Sequence, residues 1–345
     1  MRDKLSTKII AIKRGDTRVF KTLHPPIPKP GPGEIQIKME AAGVAFADIM
    51  LREGIYPLPK DIGWPRTPGY DVVGKIEAVG AGVPEHFTPG TRVAALTVYG
   101  SYARHRLLPA DQCVVVPESL DATKAVALIL NYLTAWQMLH RVAKVQAGDT
   151  ILIHAAAGGV GTALLELAAM HGVNAIGYAS KSKHAIVTER GGHPLDYRNE
   201  DIEQAVDTFT QGKGLNAVFD AIGGKETSRA LSMLKPSGTV VCYGMLGITK
   251  NGRLNMLSVL KSLLHNLSAS PLKLLSASKG VVGYNVDTWR TERPAFYRED
   301  LETLLSLLAE NKIDPLIGER ISLEEAARAQ QQLASGASTG KLVLI

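Results

Sequence analysis

The sequence predicts an α/β chain in which a doubly wound parallel sheet accompanies a second, β-rich domain. Three observations carry this expectation. The stretch ILIHAAAGGVGTALLELA, Ile151 to Ala168, reads as a strand, a glycine turn and a helix in direct succession. From about Ala125 onward, strand and helix patterns alternate, which implies parallel strands covered by helices on both faces. Before about residue 124, short strands and turn-rich stretches prevail. At 345 residues and 45% hydrophobic content, the chain can fill two cores of ordinary size.

Prolines crowd Pro25 to Pro32, where PKPGPGE is a turn-rich entry to a strand. Residues 35–39 alternate apolar and polar side chains, as a half-buried strand does. A second strand is expected at 72–79, behind the Pro68-Gly69 turn. Residues 125–142 are apolar and free of breakers, and read as a long buried helix. Strands are then expected at 151–154, 174–178, 217–220 and 239–243. Helices are expected at 162–170, 183–190, 202–210 and 227–234, the last ended by Pro236, Ser237 and Gly238. The leucines of the apolar and basic segment 253–280 predict one helix up to about Ser270 and another after Pro271. That segment reads as core or dimer helices, or as a lid or a surface for an apolar partner. A short strand at 281–284, helices at 298–311 and 323–334, and a closing strand at 341–345 complete the chain.

The glycine turn points to chemistry. Ala156, Gly158 and Gly161 have the spacing of the dinucleotide fingerprint, with alanine at the first glycine position. Gly158 lets the backbone come close to a pyrophosphate, and Gly161 lets the helix lie tight on its strand. The helix N-terminus, from Gly158 through Gly159 and Val160 to Gly161, offers free N–H groups and a positive dipole end to the anion. The plainer alternative is a tight strand-to-helix turn with no ligand. NAD sites usually carry an acid about 20 residues past the turn, to hold the ribose 2′-hydroxyl. Here the end of the second strand reads Tyr178, Ala179, Ser180, Lys181, Ser182, Lys183, with no carboxylate. A 2′-phosphate needs cations and hydroxyl donors, which Lys183 and Ser180 supply. A lysine at a helix start opposes the dipole, so an anion there balances it. The expected coenzyme is NADPH rather than NADH; the alternative is a solvated, lysine-rich helix start.

Composition excludes other classes. The formal charge of +6 is spread along the chain without a long basic block, so no nucleic-acid stripe is expected. No run of about 18 apolar residues predicts a membrane span. The N-terminus lacks the apolar core of a secretory signal. Cys113 and Cys242 lie far apart, without metal-type spacing, and read as reduced thiols of a cytoplasmic protein.

Five strings, taken together, resemble one family. They are GVAFADIMLREGIYP at 43–57, TPGYDVVGKIEAVGAGV at 67–83, LTAWQML at 133–139, HAAAGGVGTALLELA at 154–168 and LKPSGTVVCYG at 234–244. The resemblance is to the medium-chain dehydrogenase/reductase superfamily. The nearest branch is the zinc-free quinone oxidoreductases, with their zeta-crystallin-like and vesicle-protein VAT-like members. SKSKHAIV, HPLDYRNED at 193–201, the 250–280 insert and the closing GKLVLI support the VAT-like side. The resemblance implies a GroES-like catalytic domain from 1–124 and 291–345, and a Rossmann domain at 125–290 with NADPH in the cleft. It puts Lys183 and Tyr197 on the 2′-phosphate, with Lys181 able to add to them. It builds the nicotinamide slot from Thr134, Gly244, Met245, Val282, Gly283 and Tyr284. It also implies a homodimer through the strand at 281–284.

The same resemblance bears on metal. Zinc-dependent relatives need a cysteine, a His-Glu pair and a further cysteine or acid, and the matching positions here are Ala45, Tyr70-Asp71 and about Leu130. Alanine and leucine carry no donor, and a tyrosine phenol is a poor match for zinc. Two cysteines cannot build a four-cysteine structural lobe, and the nine histidines contain no pair at ligand spacing. No metal site is expected. Ala45 also stands where the family frequently has asparagine, and alanine cannot orient a carboxamide or carbonyl.

The expected activity is zinc-independent, NADPH-dependent reduction of quinones or α,β-unsaturated carbonyls by hydride transfer. An enone needs its hydride at the β-carbon, an oxyanion partner and a later proton. Tyr56 is the candidate catalytic side chain, against a plainer reading as a packed loop aromatic. Tyr70 is a second residue expected to face that cleft. Asp48 reads as a group that caps or orients its loop, and Asp220 as a strand-end residue without chemistry. Two other functions stay open: an NADPH-binding protein acting through a partner or membrane contact on 253–280, and an enoyl-thioester reductase.

Overall fold

The computed structural model describes residues 5–56, 62–250, 253–254 and 270–345. The chain divides into two compact units, Met1–Leu133 with Trp289–Ile345, and Thr134–Thr288.

The contiguous unit is built on a six-stranded parallel sheet. Its strand order is Gly192–Asp196, Asn174–Ala179, Thr150–Ile153, Leu215–Asp220, Leu234–Cys242 and Gly280–Gly283. Ile151, Leu152, Ile153, Val218 and Phe219 have no exposure, as befits central strands covered on both faces. Helices Gly159–Met170, Ile202–Thr210 and Lys225–Met233 fall between strands, as the alternation predicts. A single turn at Lys181–Lys183 opens the helix His184–Glu189. Leu152, Ile176, Leu195, Ile202, Val206 and Leu231 form one core cluster. Each such side chain stabilises the fold by about 1.5–3 kcal/mol when fully buried.

Two details differ from expectation. The strand Gly192–Asp196 was not expected, because its sequence GHPLD is short of apolar residues. It is an outer strand of the sheet, where a proline such as Pro194 is tolerated. The Pro236-Ser237-Gly238 run does not precede its strand but lies inside Leu234–Cys242. The pairing jumps from Leu215↔Leu234 to Ala217↔Thr239, so these residues loop out as a bulge, with Ser237 at φ 71.

The discontinuous unit holds a seven-stranded sheet. Its order is Ile317–Ile321, Lys341–Leu344, Glu34–Val44, Asp71–Val79, Arg92–Leu96 and Val114–Val115, with His105–Pro109 added on Glu34–Val44. Glu34–Val44 is longer than the strand expected there, and two register shifts let it bend between its partners. Ile35, Ile37, Val72, Val93, Leu342 and Leu344 meet in its core. A helical run from Ala122 to Ala143 carries the chain out of this unit, α-helical at first and widened to π-turns at Leu128–Tyr132 and Gln137–Ala143. Asp121 caps its start by accepting from the Thr123 amide at 2.6 Å, and Lys144 ends it at φ 53.

The helix expected after Pro271 spans Pro271–Ala277. The one expected before Ser270 lies outside the described residues. Among the described residues, no helix is long and apolar enough to cross a membrane.

Candidate functional site

The glycine turn leaves the sheet at the carboxyl end of Thr150–Ile153, the edge where ligands of open parallel sheets bind. After His154, Ala155 takes φ 52, a left-handed conformation that costs an alanine roughly 1–2 kcal/mol. The Ala156 amide then donates to the Tyr178 carbonyl on the neighbouring strand at 3.0 Å. Gly158 is the N-cap of the following helix, so the amides of Gly159, Val160 and Gly161 sit in its first turn, where no carbonyl one turn back can accept from them. A Cβ on Gly161 would lie 2.4 Å from the Ala155 oxygen and 2.6 Å from the Ala156 Cα. The turn and helix therefore touch backbone to backbone, and only glycine fits.

The next two strand ends collect the candidate phosphate ligands. Asn174–Ala179 and Gly192–Asp196 run parallel with Ala179 opposite Asp196, so Ser180 and Tyr197 leave the sheet side by side. Ser180 opens the turn that carries Lys181 and Lys183, and its carbonyl accepts from the Lys183 amide at 2.8 Å. Burial lowers the Lys183 ammonium below the ordinary lysine range, a cost that an anion beside it would offset. Tyr197 is exposed, and the Arg198 guanidinium lies 5.4 Å above its ring. Arg198 was not singled out from the sequence; its place directly after Tyr197 at a strand end was the available signal.

The other side of the same sheet edge carries Gly244, Met245 and Tyr284. Cys242 pairs with Gly283, so Tyr243-Gly244-Met245 and Tyr284 follow from adjacent strand ends. A Cβ on Gly244 would fall 2.6 Å from the Ala221 oxygen. Met245 and Val282 are exposed, whereas Tyr284 is buried and donates to Gln137 Oε1 at 2.8 Å. Thr134 is buried, and its Oγ1 has no hydrogen-bond partner among the described residues. A buried hydroxyl in that state is costly unless something else accepts or donates there.

A buried pair ties these loops together. His154 Nδ1 lies 2.9 Å from Asp220 Oδ1, which also accepts from the Ile222 and Gly223 amides at 2.8 and 2.9 Å. Burial alone would push the Asp220 carboxyl up, but the bonds from His154, Thr227 and Gly223 outweigh it and take it to about 2. Asp220 is thus an ionised anchor rather than a proton carrier.

In the discontinuous unit, Tyr56 and Tyr70 meet hydroxyl to hydroxyl at 2.7 Å, with their rings edge to face at 5.9 Å. Asp48 organises the loops around them. It accepts from the Ala45 amide at 2.8 Å, the Gly69 amide at 2.7 Å and the Tyr102 hydroxyl at 3.2 Å. Burial pushes its carboxyl up to about 7 in spite of the two amides. Asp71, beside Tyr70, is ion-paired to Lys341 at 2.7 Å.

These positions do not fit a catalytic zinc. Ala45 and Leu130 offer no donor atom, and the one carboxylate of the set is engaged by a lysine. Among the described residues, no group of three or more His, Cys, Asp or Glu side chains could hold a metal ion.

Residues 31–118 match the family described as alcohol dehydrogenase GroES-like domain, and residues 191–344 match zinc-binding dehydrogenase. The chain is 33% identical to the synaptic vesicle membrane protein VAT-1 homolog of Rattus norvegicus, over 92% of this chain and 78% of that protein. It is 32% identical to a quinone oxidoreductase of Pseudomonas aeruginosa, over 92% of each. Its fold is similar to that of the Escherichia coli quinone oxidoreductase crystallised in complex with NADPH. The TM-score is 0.86 at 27% identity, covering 98% of this chain and 99% of that one.

Proposed function

The chain belongs to the quinone oxidoreductase and VAT-1 branch of the medium-chain dehydrogenase/reductase superfamily, and from that premise we propose that it is a zinc-independent, NADPH-dependent reductase of quinones or α,β-unsaturated carbonyls. The observation that carries the reading is the pair of neighbouring strand ends that bring Ser180, Lys181 and Lys183 beside Tyr197, with no carboxylate at the end of Asn174–Ala179. In this reading the first-turn amides of Gly159, Val160 and Gly161 hold the pyrophosphate, which Gly158 lets come close to the backbone. Ser180, Lys181, Lys183 and Tyr197 hold the 2′-phosphate. Thr134, with its unmatched buried hydroxyl, anchors the nicotinamide end together with Gly244, Met245, Val282, Gly283 and Tyr284.

The bound coenzyme supplies the hydride. The chain's own contribution is to orient the acceptor and to place a hydroxyl, that of Tyr56, where an oxygen of the substrate gains charge. Among the described residues Gly280–Gly283 is an outer strand of its sheet, which supports a homodimer joined through that strand.

Spectrophotometric NADPH oxidation against a simple quinone, a short enal and an enoyl thioester tests the reading. Turnover of the quinone or enal, unchanged by a strong chelator, is the expected result. Inertness toward all three with tight NADPH binding intact overturns the reductase reading.

A further inference from the structure

We propose that His154 is a positioning residue for the coenzyme: through the Asp220 carboxylate its imidazole fixes the loop 221–223 on which residues 244–247 rest, and so sets the seat of the nicotinamide end. The inference rests on the reading of this sheet edge as an NADPH site.

The contacts form one chain within the contiguous unit. His154 and Asp220 stand at neighbouring strand ends, and their side chains are 1% and 0% exposed. A carboxylate can only accept, so the proton between them, across 2.9 Å, belongs to His154 Nδ1. Among the bonds that keep Asp220 ionised against burial, the one from His154 is the largest. The same Asp220 Oδ1 accepts from the Ile222 and Gly223 amides at 2.8 and 2.9 Å, which bends the chain and puts Gly223 at φ 82. The carbonyls on this bend are acceptors in turn. Ala221 O accepts from the Leu246 amide and Ile222 O from the Gly247 amide, each at 3.0 Å. A Cβ on Gly244 would lie 2.6 Å from the Ala221 oxygen, and one on Gly247 2.9 Å from the Ile222 oxygen. The two segments touch backbone to backbone, so a shift of 221–222 passes to 244–247.

The glycine turn has its own supports. The Ala156 amide donates to the Tyr178 carbonyl at 3.0 Å, and the Gly158 amide to the Ala155 carbonyl at 2.9 Å. His154 therefore acts on one half of the coenzyme, although the turn begins at the next residue. Its ring stacks on Tyr178 with centroids 4.9 Å apart, which holds the imidazole in place. Without that donor, the buried Asp220 carboxylate takes up a proton or draws in water. Either change loosens its grip on the two amides, because hydrogen bonds to an ionised acceptor are the stronger ones.

The test measures, by titration calorimetry, the binding of NADPH and of adenosine 2′,5′-bisphosphate, which lacks the nicotinamide half. The proteins compared are the parent, His154→Leu and His154→Asn. His154→Leu should weaken NADPH about tenfold, the effect of one hydrogen bond to a charged group, and the fragment by less than about twofold. His154→Asn, whose amide N–H can stand where Nδ1–H stood, should recover most of the NADPH affinity. Hydrogen exchange in His154→Leu should quicken at the Leu246 and Gly247 amides and not at the Ala156 amide. If His154→Leu does not fold, Asp220→Asn, which keeps an oxygen for the two amides but removes the charge, should show the same split between the ligands. An equal loss for both ligands marks a purely structural histidine and overturns the positioning role. So does an unchanged NADPH affinity, or a His154→Asn variant as weak as His154→Leu. A parent that binds neither ligand overturns the NADPH site itself and this role with it.

Discussion

Lys341 and Asp71 are 270 positions apart in the chain, yet their side chains form a 2.7 Å ion pair with 2% and 0% exposure. Gly43 makes room for it, since a Cβ there would overlap both Asp71 Oδ1 and the end of Lys341. The pair locks the closing strand to the strand that leads out of Tyr70.

Removing one partner strands a charge in the interior. Lys341→Met should therefore lose about 3–5 kcal/mol of stability in urea unfolding, whereas Asp71→Leu with Lys341→Met should recover most of it. A single-variant loss below about 1 kcal/mol, the range of exposed pairs, would show that the site is hydrated in solution.

Lys183→Ala should weaken NADPH binding far more than NADH binding. A charge-assisted hydrogen bond contributes roughly 1.5–3 kcal/mol, so the loss should be about tenfold or more. Titration calorimetry with both coenzymes checks it, and an equal change for the two removes Lys183 from the 2′-phosphate. Arg198→Ala in the same assay asks whether the guanidinium over Tyr197 contributes.

Gly161→Ala forces a methyl against the backbone of Ala155 and Ala156, neither of which is the loose end of a side chain. Overpacking of this kind costs about 1–3 kcal/mol. A lower melting temperature together with weaker NADPH binding is expected, and an unchanged pair of values would mean that the helix can shift without cost.

Asp48 sets a pH dependence of unusual sign. Its carboxyl rises from 3.8 to about 7 on folding, so between these values the folded chain binds the proton more tightly than the unfolded one. Stability from this group therefore falls as pH rises from about 4 to 7, by about 4 kcal/mol in all. Asp220, lowered to about 2, acts in the opposite sense, its contribution present above 3.8 and lost as pH falls toward 2. Urea unfolding between pH 4.5 and 8 should show a smaller decline in Asp48→Asn than in the parent. Parallel curves for the two would place the Asp48 proton elsewhere.

Much of the parallel sheet was legible because local pattern and fold agree there. Central strands such as Thr150–Ile153 are continuous apolar runs, and the glycine turn announces the helix that follows. Gly192–Asp196 was hidden because an outer strand can carry glycine, histidine and proline without a periodic signal. The bulge at Pro236-Ser237-Gly238 looked like a helix stop because the same residue types serve both purposes. The widened turns of the run from Ala122 to Ala143 fall in a stretch without glycine or proline, so no residue there announces them. The links His154–Asp220 and Tyr56–Tyr70 join residues whose proximity only the assembled sheets create. Asp48 as a loop organiser was expected, but its high carboxyl value follows from complete burial, which no local spacing reveals.

The strand Lys341–Leu344 pairs with Ala42, Gly43 and Val44. During synthesis that pairing must wait until Lys341–Leu344 itself has left the ribosome. The contiguous segment Thr134–Thr288 can fold while still tethered. The earlier-made edge of Glu34–Val44, and the carboxylate of Asp71 next to it, stay without their eventual partner until then. Until then the nascent chain carries an open sheet edge and an uncompensated charge, so its first-made strands are the ones most open to mispairing.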